Sequence, residues 1–233
     1  MTGSMITIKA HDGGSFGAYL AKPAAGKGPG VVVIQEIFGV NANVRAIADG
    51  LAAEGFFALA PDLFWRIEPG IDITDKTEAE WKKAFELFGK FDIAAGVKDI
   101  QATLTALRAQ PGCTGKAGAV GYCLGGLLAY LTAARTDSNA SVGFYGVNIK
   151  NFLGEQGAIK APLLLHVAEK DEFVPPPAQA EVAAGLVANP HVTILTYMGQ
   201  DHAFARMGGK HFHAGSALAA NAASLAFFKK HLA

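Results

Sequence analysis

Cysteine and charge are both scarce in this chain. Two cysteines, Cys113 and Cys123, stand among 233 residues, too few for a disulfide framework and suited to free thiols in a reducing cytoplasm. Charged residues make up 17% and cancel, 20 basic against 20 acidic. Without a basic excess, neither nucleic acid nor an acidic membrane surface is an expected partner. No apolar run approaches the roughly 20 residues that cross a bilayer. The opening "MTGSMITIKAHDGG" has no basic segment followed by an apolar one, so no secretory signal is expected. Internal repeats, low-complexity tracts and long linkers are missing as well.

Apolar residues, by contrast, are plentiful. At 51% they can fill a large core, and the length suits a single domain over residues 1–233. The pattern alternates strand and helix. "PGVVVIQE" (29–36) is a β-branched run of the kind buried on both faces of a parallel sheet, and "GFFALAPD" (55–62) reads as the next strand. Helices are expected near 43–51 (capped by Asn41 or Asn43), 78–89, 92–109, 124–135, 176–188 and 214–231. Further strands fall at 116–122, 140–146, 162–168 and 191–197. The stretch 65–77 reads as a surface loop, and Trp81, Phe85 and Phe88 as a core stripe on one helix face. The class is α/β: a mostly parallel, twisted sheet covered by helices on both faces.

Ligands in such sheets sit at the carboxyl ends of the strands. Four polar residues fall just after strands: Glu36, Cys123, Asp171 and His202. Cys123 lies in "GYCLG", a G-x-S-x-G pattern with sulfur in place of oxygen. Glycines allow the close backbone passage that a strand-to-helix nucleophile turn needs, and the first turn of the next helix favours a thiolate. A buried structural cysteine would fit the same segment. Asp171, in "AEKDEFVPP", can orient an imidazole, as could Glu169 or Glu172. His202, in "MGQDHAFAR", completes the chain order nucleophile, acid, base. Glu36 ends a buried run, where a carboxylate needs a partner; it either binds backbone amides or touches the thiol. The N–H groups of Ile37 and Leu124 occupy the positions of an oxyanion hole. Arg206, four residues past His202, can clamp a carboxylate or form a surface ion pair. His211 and His213 beside His202 lack the carboxylate and cysteine partners of a metal site, and the glycines of 118–126 match no nucleotide-binding pattern. No metal and no cofactor are expected.

The segments "VVVIQEIFGVNANVR", "APDLF", "FDIAAGVKDI", "GKAGAVGYCLGG", "FYGV" and "DHAFAR" together resemble the dienelactone hydrolase (carboxymethylenebutenolidase) family over residues 5–230. The resemblance implies an α/β-hydrolase-fold enzyme that opens an unsaturated lactone to maleylacetate in aromatic hydrocarbon catabolism. It implies Cys123 as nucleophile, Asp171 and His202 as the rest of the triad, and Glu36 as the switch that takes the thiol proton when substrate binds. An exposed thiolate oxidises readily, a physical reason for such a switch. Arg206, Trp81, Phe85, Phe38 and Tyr145 would meet the substrate. Two positions depart from the pattern: Trp81 stands where the family carries an arginine, with Lys82 and Lys83 beside it, and Phe85 where it carries a tyrosine. A neutral or larger ester is therefore the alternative substrate of a small-molecule hydrolase expected to be a cytoplasmic monomer.

Overall fold

The computed structural model describes residues 3–233; Met1 and Thr2, the start of the stretch read for a leader, lie outside them. The chain divides into two compact units, one up to Ala119 and one from Val120. Among the described residues, eight strands and six α-helices make the expected α/β class, a mixed, mostly parallel sheet with helices. Among the described residues, no helix is long and apolar enough to cross a membrane.

In the first unit, β1 (Ser4–Lys9) and β2 (Ser15–Ala21) pair antiparallel, with Ser4 opposite Leu20. The pattern reading assigns no element here. Four of the six residues of β1 are exposed, so they carry no continuous apolar run. β2 then pairs antiparallel with β4 (Phe57–Pro61), and β4 parallel with β3 (Gly28–Ile34). Val31 to Ile34 are fully buried, as the β-branched run predicts for a strand covered on both faces. Each such side chain contributes about 1.5–3 kcal/mol of burial. Helices α1 (Ala42–Ala53) and α3 (Ile93–Arg108) pack on β3 and β4. Asn41 caps α1 by accepting from Val44 N–H at 3.2 Å, and Asp92 caps α3 through Ala95 N–H at 3.0 Å. Close packing of α3 on the sheet needs Gly30, whose added Cβ would lie 2.6 Å from Leu107 Cγ.

One expectation for this unit needs correction. The aromatic stripe of α2 (Glu78–Lys90) is not core: Phe85 is 47% exposed, while Ala84 and Leu87 are buried. The buried face of α2 is turned about one residue from the stripe, so the rings pack on one another instead, Trp81 stacked on Phe85 at 5.5 Å. The stretch 65–77 is a surface loop, as expected, and its first residues are pinned. Trp65 stacks on Phe16, Trp65 Nε1 donates to Asp99 at 2.8 Å, and Arg66 pairs with both Asp99 and Asp12. Asp99 is 1% exposed, so these donors meet the need of a buried carboxylate.

β5 (Cys113–Tyr122) leads into the second unit. There α4 (Leu124–Arg135), β6 (Ser141–Phe144), a 3-10 segment (Ile149–Ala158), β7 (Leu163–Ala168), α5 (Pro176–Leu186), β8 (Val192–Tyr197) and α6 (Ala214–Leu232) follow. β6, β7 and β8 pair in parallel. Leu124 to Ala133 are all buried; α4 is apolar on every side because protein surrounds it. α6 packs on β7, and there His166 of β7 is fully buried between Tyr197 and Ser224. Ser224 gives its proton to Ala220 O at 2.8 Å. It therefore accepts from His166 Nε2–H, leaving Nδ1 to accept from the Tyr197 hydroxyl.

Candidate active site

Cys123 joins the end of β5 to α4 with φ 55° and ψ −113°, a left-handed conformation that costs an L-residue about 1–3 kcal/mol unless its surroundings hold it. Here they do. Cys123 N–H donates to Phe144 O at 3.1 Å, and its carbonyl accepts from Gly126 and Leu127 at the start of the helix. The flanking glycines are required by space. A Cβ on Gly121 would lie 1.9 Å from Gly125 O, and one on Gly126 would lie 2.6 Å from Phe144 O. Leu124 opens α4, so its N–H has no carbonyl one turn back and is open to an acceptor. Cys123 is buried, 8% exposed, and forms no disulfide.

Asp171 follows β7 on a short loop. Its Oδ1 accepts from Phe173 N–H at 2.9 Å and Val174 N–H at 3.2 Å, which leaves Oδ2 for His202 Nδ1 at 2.8 Å. The competing acids lie elsewhere: Glu172 is exposed, and Glu169 accepts from Gly199 N–H. That last bond, with Lys170 N–H to Gln200 O at 2.8 Å, stitches the Asp171 loop to the His202 loop. Asp171 and His202 are 3% and 4% exposed.

The His202 ring stands between the edges of Tyr145, 5.0 Å away, and Phe173, 4.8 Å away. Burial alone would lower its proton affinity. The Cys123 sulfur and the Asp171 carboxylate outweigh burial and raise it well above the ordinary imidazole value. Nε2 has no oxygen or nitrogen partner and no well-formed hydrogen bond; the charged form is favoured from that side by the sulfur. A carboxylate-held imidazole next to a thiol can take its proton and stabilise the resulting ion pair.

Arg206 lies on the same loop as His202, 9% exposed, with its N–H bonded to Ala203 O. Ala203, at φ 63°, turns the chain sharply after the histidine. His211 Nδ1 donates to His202 O at 3.2 Å, and His213 caps α6 by accepting from Ser216 N–H. Both thus have roles in the loop and the cap. In the first unit, Glu36 and Ile37 follow β3 and are buried, and Phe38 meets Trp81 edge-on at 5.1 Å. Lys83 is engaged by Glu68, and Lys82 is exposed. The residue against the His202 ring that sequence reading missed is Phe173; an aromatic in a loop gave no signal of that contact.

A thiol at a strand-to-helix elbow, with acid and base on loops after later strands, is the layout of an α/β-hydrolase carrying cysteine at the nucleophile position. The comparisons with known proteins narrow this to one family. The model of the dienelactone hydrolase family matches residues 16–232, and the chain belongs to that family of ester and lactone hydrolases. A protein of Azospirillum brasilense is 49% identical over 97% of this chain and 98% of its own length. The carboxymethylenebutenolidase of Pseudomonas putida is 39% identical over 95% of this chain and 94% of its own. A solved structure from Klebsiella pneumoniae, 28% identical, superposes with a TM-score of 0.86 and covers 98% of both chains.

Proposed function

We propose that this chain opens a small, carboxylate-bearing unsaturated lactone, dienelactone to maleylacetate, through an acyl-enzyme on Cys123. The observation that carries the reading is the His202 ring, fixed through Nδ1 by Asp171 and raised in proton affinity by Cys123. As the family resemblance implies, Glu36 takes the Cys123 proton when substrate binds, and the thiolate, paired with the His202 imidazolium, attacks the lactone carbonyl. The developing oxyanion is met by the Leu124 N–H at the start of α4, with Ile37 N–H as the second donor that this fold supplies. Collapse breaks the ring C–O bond; the ring oxygen stays on the acyl chain as an enolate and takes the His202 proton, so nothing leaves. Water deprotonated by the now neutral His202 then cleaves the thioester, and the released thiolate regains its proton from Glu36. Arg206 holds the substrate carboxylate. The enzyme works without a cofactor, and its two free cysteines suit a reducing cytoplasm. Support for the lactone comes from relatives named carboxymethylenebutenolidase along nearly the full chain.

A second reading keeps this chemistry on a neutral or larger ester. It is favoured by Trp81, stacked on the half-exposed Phe85 and edge-on to Phe38, an aromatic surface without a guanidinium. Relative turnover of dienelactone and a neutral aryl ester separates the two. Fast dienelactone turnover that collapses in Arg206→Ala supports the lactone. Ester turnover alone, indifferent to Arg206, supports the second reading.

A further inference from the structure

Gln179 sits in the first turns of α5, directly after the Val174–Pro177 stretch that closes the Asp171 loop. Its Nε2 lies 3.1 Å from Ala168 O, 3.1 Å from Glu169 O and 2.7 Å from Val174 O. Three carbonyl oxygens surround it, so the amide nitrogen must be the atom that faces them; a rotated amide would set oxygen against oxygen. Two of the acceptors enter the loop and one leaves it, and Asp171 stands between them. One side chain therefore ties both stems of the loop to a helix anchored in the core by Ala178, Val182 and Leu186.

What lies under the loop makes this tie matter. Asp171, Val174 and Gln179 border a cavity of about 230 Å³ whose apolar lining includes Leu165, Val182 and Ile194. The loop is thus not pressed into shape by close-packed side chains on this side, and hydrogen bonds must hold it. The Asp171 carboxylate has little freedom to spare. One oxygen is fixed by Phe173 and Val174 N–H, and the other must stay 2.8 Å from His202 Nδ1. A shift of the stems by a fraction of an ångström moves both sets at once.

We propose that Gln179 is a positioning residue: it holds the Asp171 loop in the geometry that keeps His202 oriented towards Cys123. The role rests on the Cys123–His202–Asp171 reading above. Without the Gln179 donors, the Asp171–His202 bond lengthens, and the imidazole loses its fixed orientation and part of the carboxylate's support for its charged form. Substrate contacts made elsewhere are untouched, so the effect falls on kcat and not on KM.

The test compares wild type with Gln179→Met, similar in volume and without donors, and with Gln179→Glu, similar in shape but acceptor-only. Two quantities are read on folded protein: steady-state kinetics, and the pH titration of the His202 imidazole by NMR, which needs no substrate. Both variants should lose about 10- to 100-fold in kcat with KM within about twofold. Their His202 ring should titrate lower than in wild type by about one pH unit or more, as the Asp171 carboxylate draws away. If one variant does not fold, the other carries the comparison. Wild-type kcat and an unchanged His202 titration in a folded variant would overturn the role of Gln179 alone. If the wild-type His202 ring titrates as an ordinary imidazole, and Asp171→Asn changes nothing, the triad reading falls and the proposal with it.

Discussion

Acidification should destabilise the second unit through His166. The ring is fully buried, its Nε2–H is given to Ser224 and its Nδ1 accepts from Tyr197, so a second proton would have to turn the Tyr197 hydroxyl about and would place a charge in a buried site. Burial holds its pKa at about 3, against 6.5 for the free side chain. Because the folded value is depressed, the stabilising contribution is complete above about pH 6.5 and is lost as pH falls towards 3. At pH 4.5 the unfolded chain gains from a proton that the folded chain refuses over two pH units, at 1.36 kcal/mol each, or about 2.7 kcal/mol. His202 acts in the opposite direction: its folded value is raised, so its contribution is complete below the unfolded pKa of 6.5 and declines as pH rises from there towards the folded one. The effect is common to wild type and variant and cancels between them. The assay is the urea midpoint of wild type and of His166→Gln at pH 7 and at pH 4.5. Wild type should lose about 2.7 kcal/mol more than the variant between the two conditions. Equal losses, or an imidazole resonance of His166 that titrates near neutrality, would refute the reasoning.

Three further perturbations follow from the same structure. In Asp171→Asn, the retained oxygen keeps the bonds from Phe173 and Val174 and turns an NH₂ towards His202 Nδ1. The wrong tautomer results, and kcat should fall by about 10³–10⁴ while circular dichroism stays native; a loss below tenfold would contradict this. Ala203→Gly relieves a left-handed φ of 63° worth about 1–2 kcal/mol, less about 0.4–1 for the added freedom of the unfolded chain. A net gain of about 0.5–1 kcal/mol should appear as a higher urea midpoint. Asp99→Ala leaves Arg66 and Trp65 without their shared buried carboxylate and should cost about 3 kcal/mol in thermal unfolding; a cost under 1 kcal/mol would mean that the cluster is replaceable.

The parts of this fold that can be read from the sequence are those whose environment is uniform along a run. Val31 to Ile34 and Leu163 to Leu165 are buried on both faces, and β-branched and leucine runs announce that directly. β1 is mostly exposed, with only Ile8 buried among six residues, too weak a signal against the background of loops. The Trp81–Phe85 stripe misled because helical spacing says which residues share a face, not whether that face meets the core. At the site, the order of Cys123, Asp171 and His202 survives in sequence because each follows its own strand. Gln179 and Phe173 do not stand out, since their roles consist of contacts with Ala168, Glu169 and Val174 in one case and with the His202 ring in the other. The Cys123 elbow was legible because glycine is the one residue that fits beside Gly125 O and Phe144 O.

The central claim is that Cys123 forms the acyl-enzyme, and a rapid acid quench during dienelactone turnover tests it most directly. Mass spectrometry should find the peptide that contains Cys123 heavier by the whole mass of the lactone, because ring opening releases no leaving group. The adduct should vanish in Cys123→Ala together with turnover. Turnover that persists in Cys123→Ala, or an adduct on another residue, would contradict the claim.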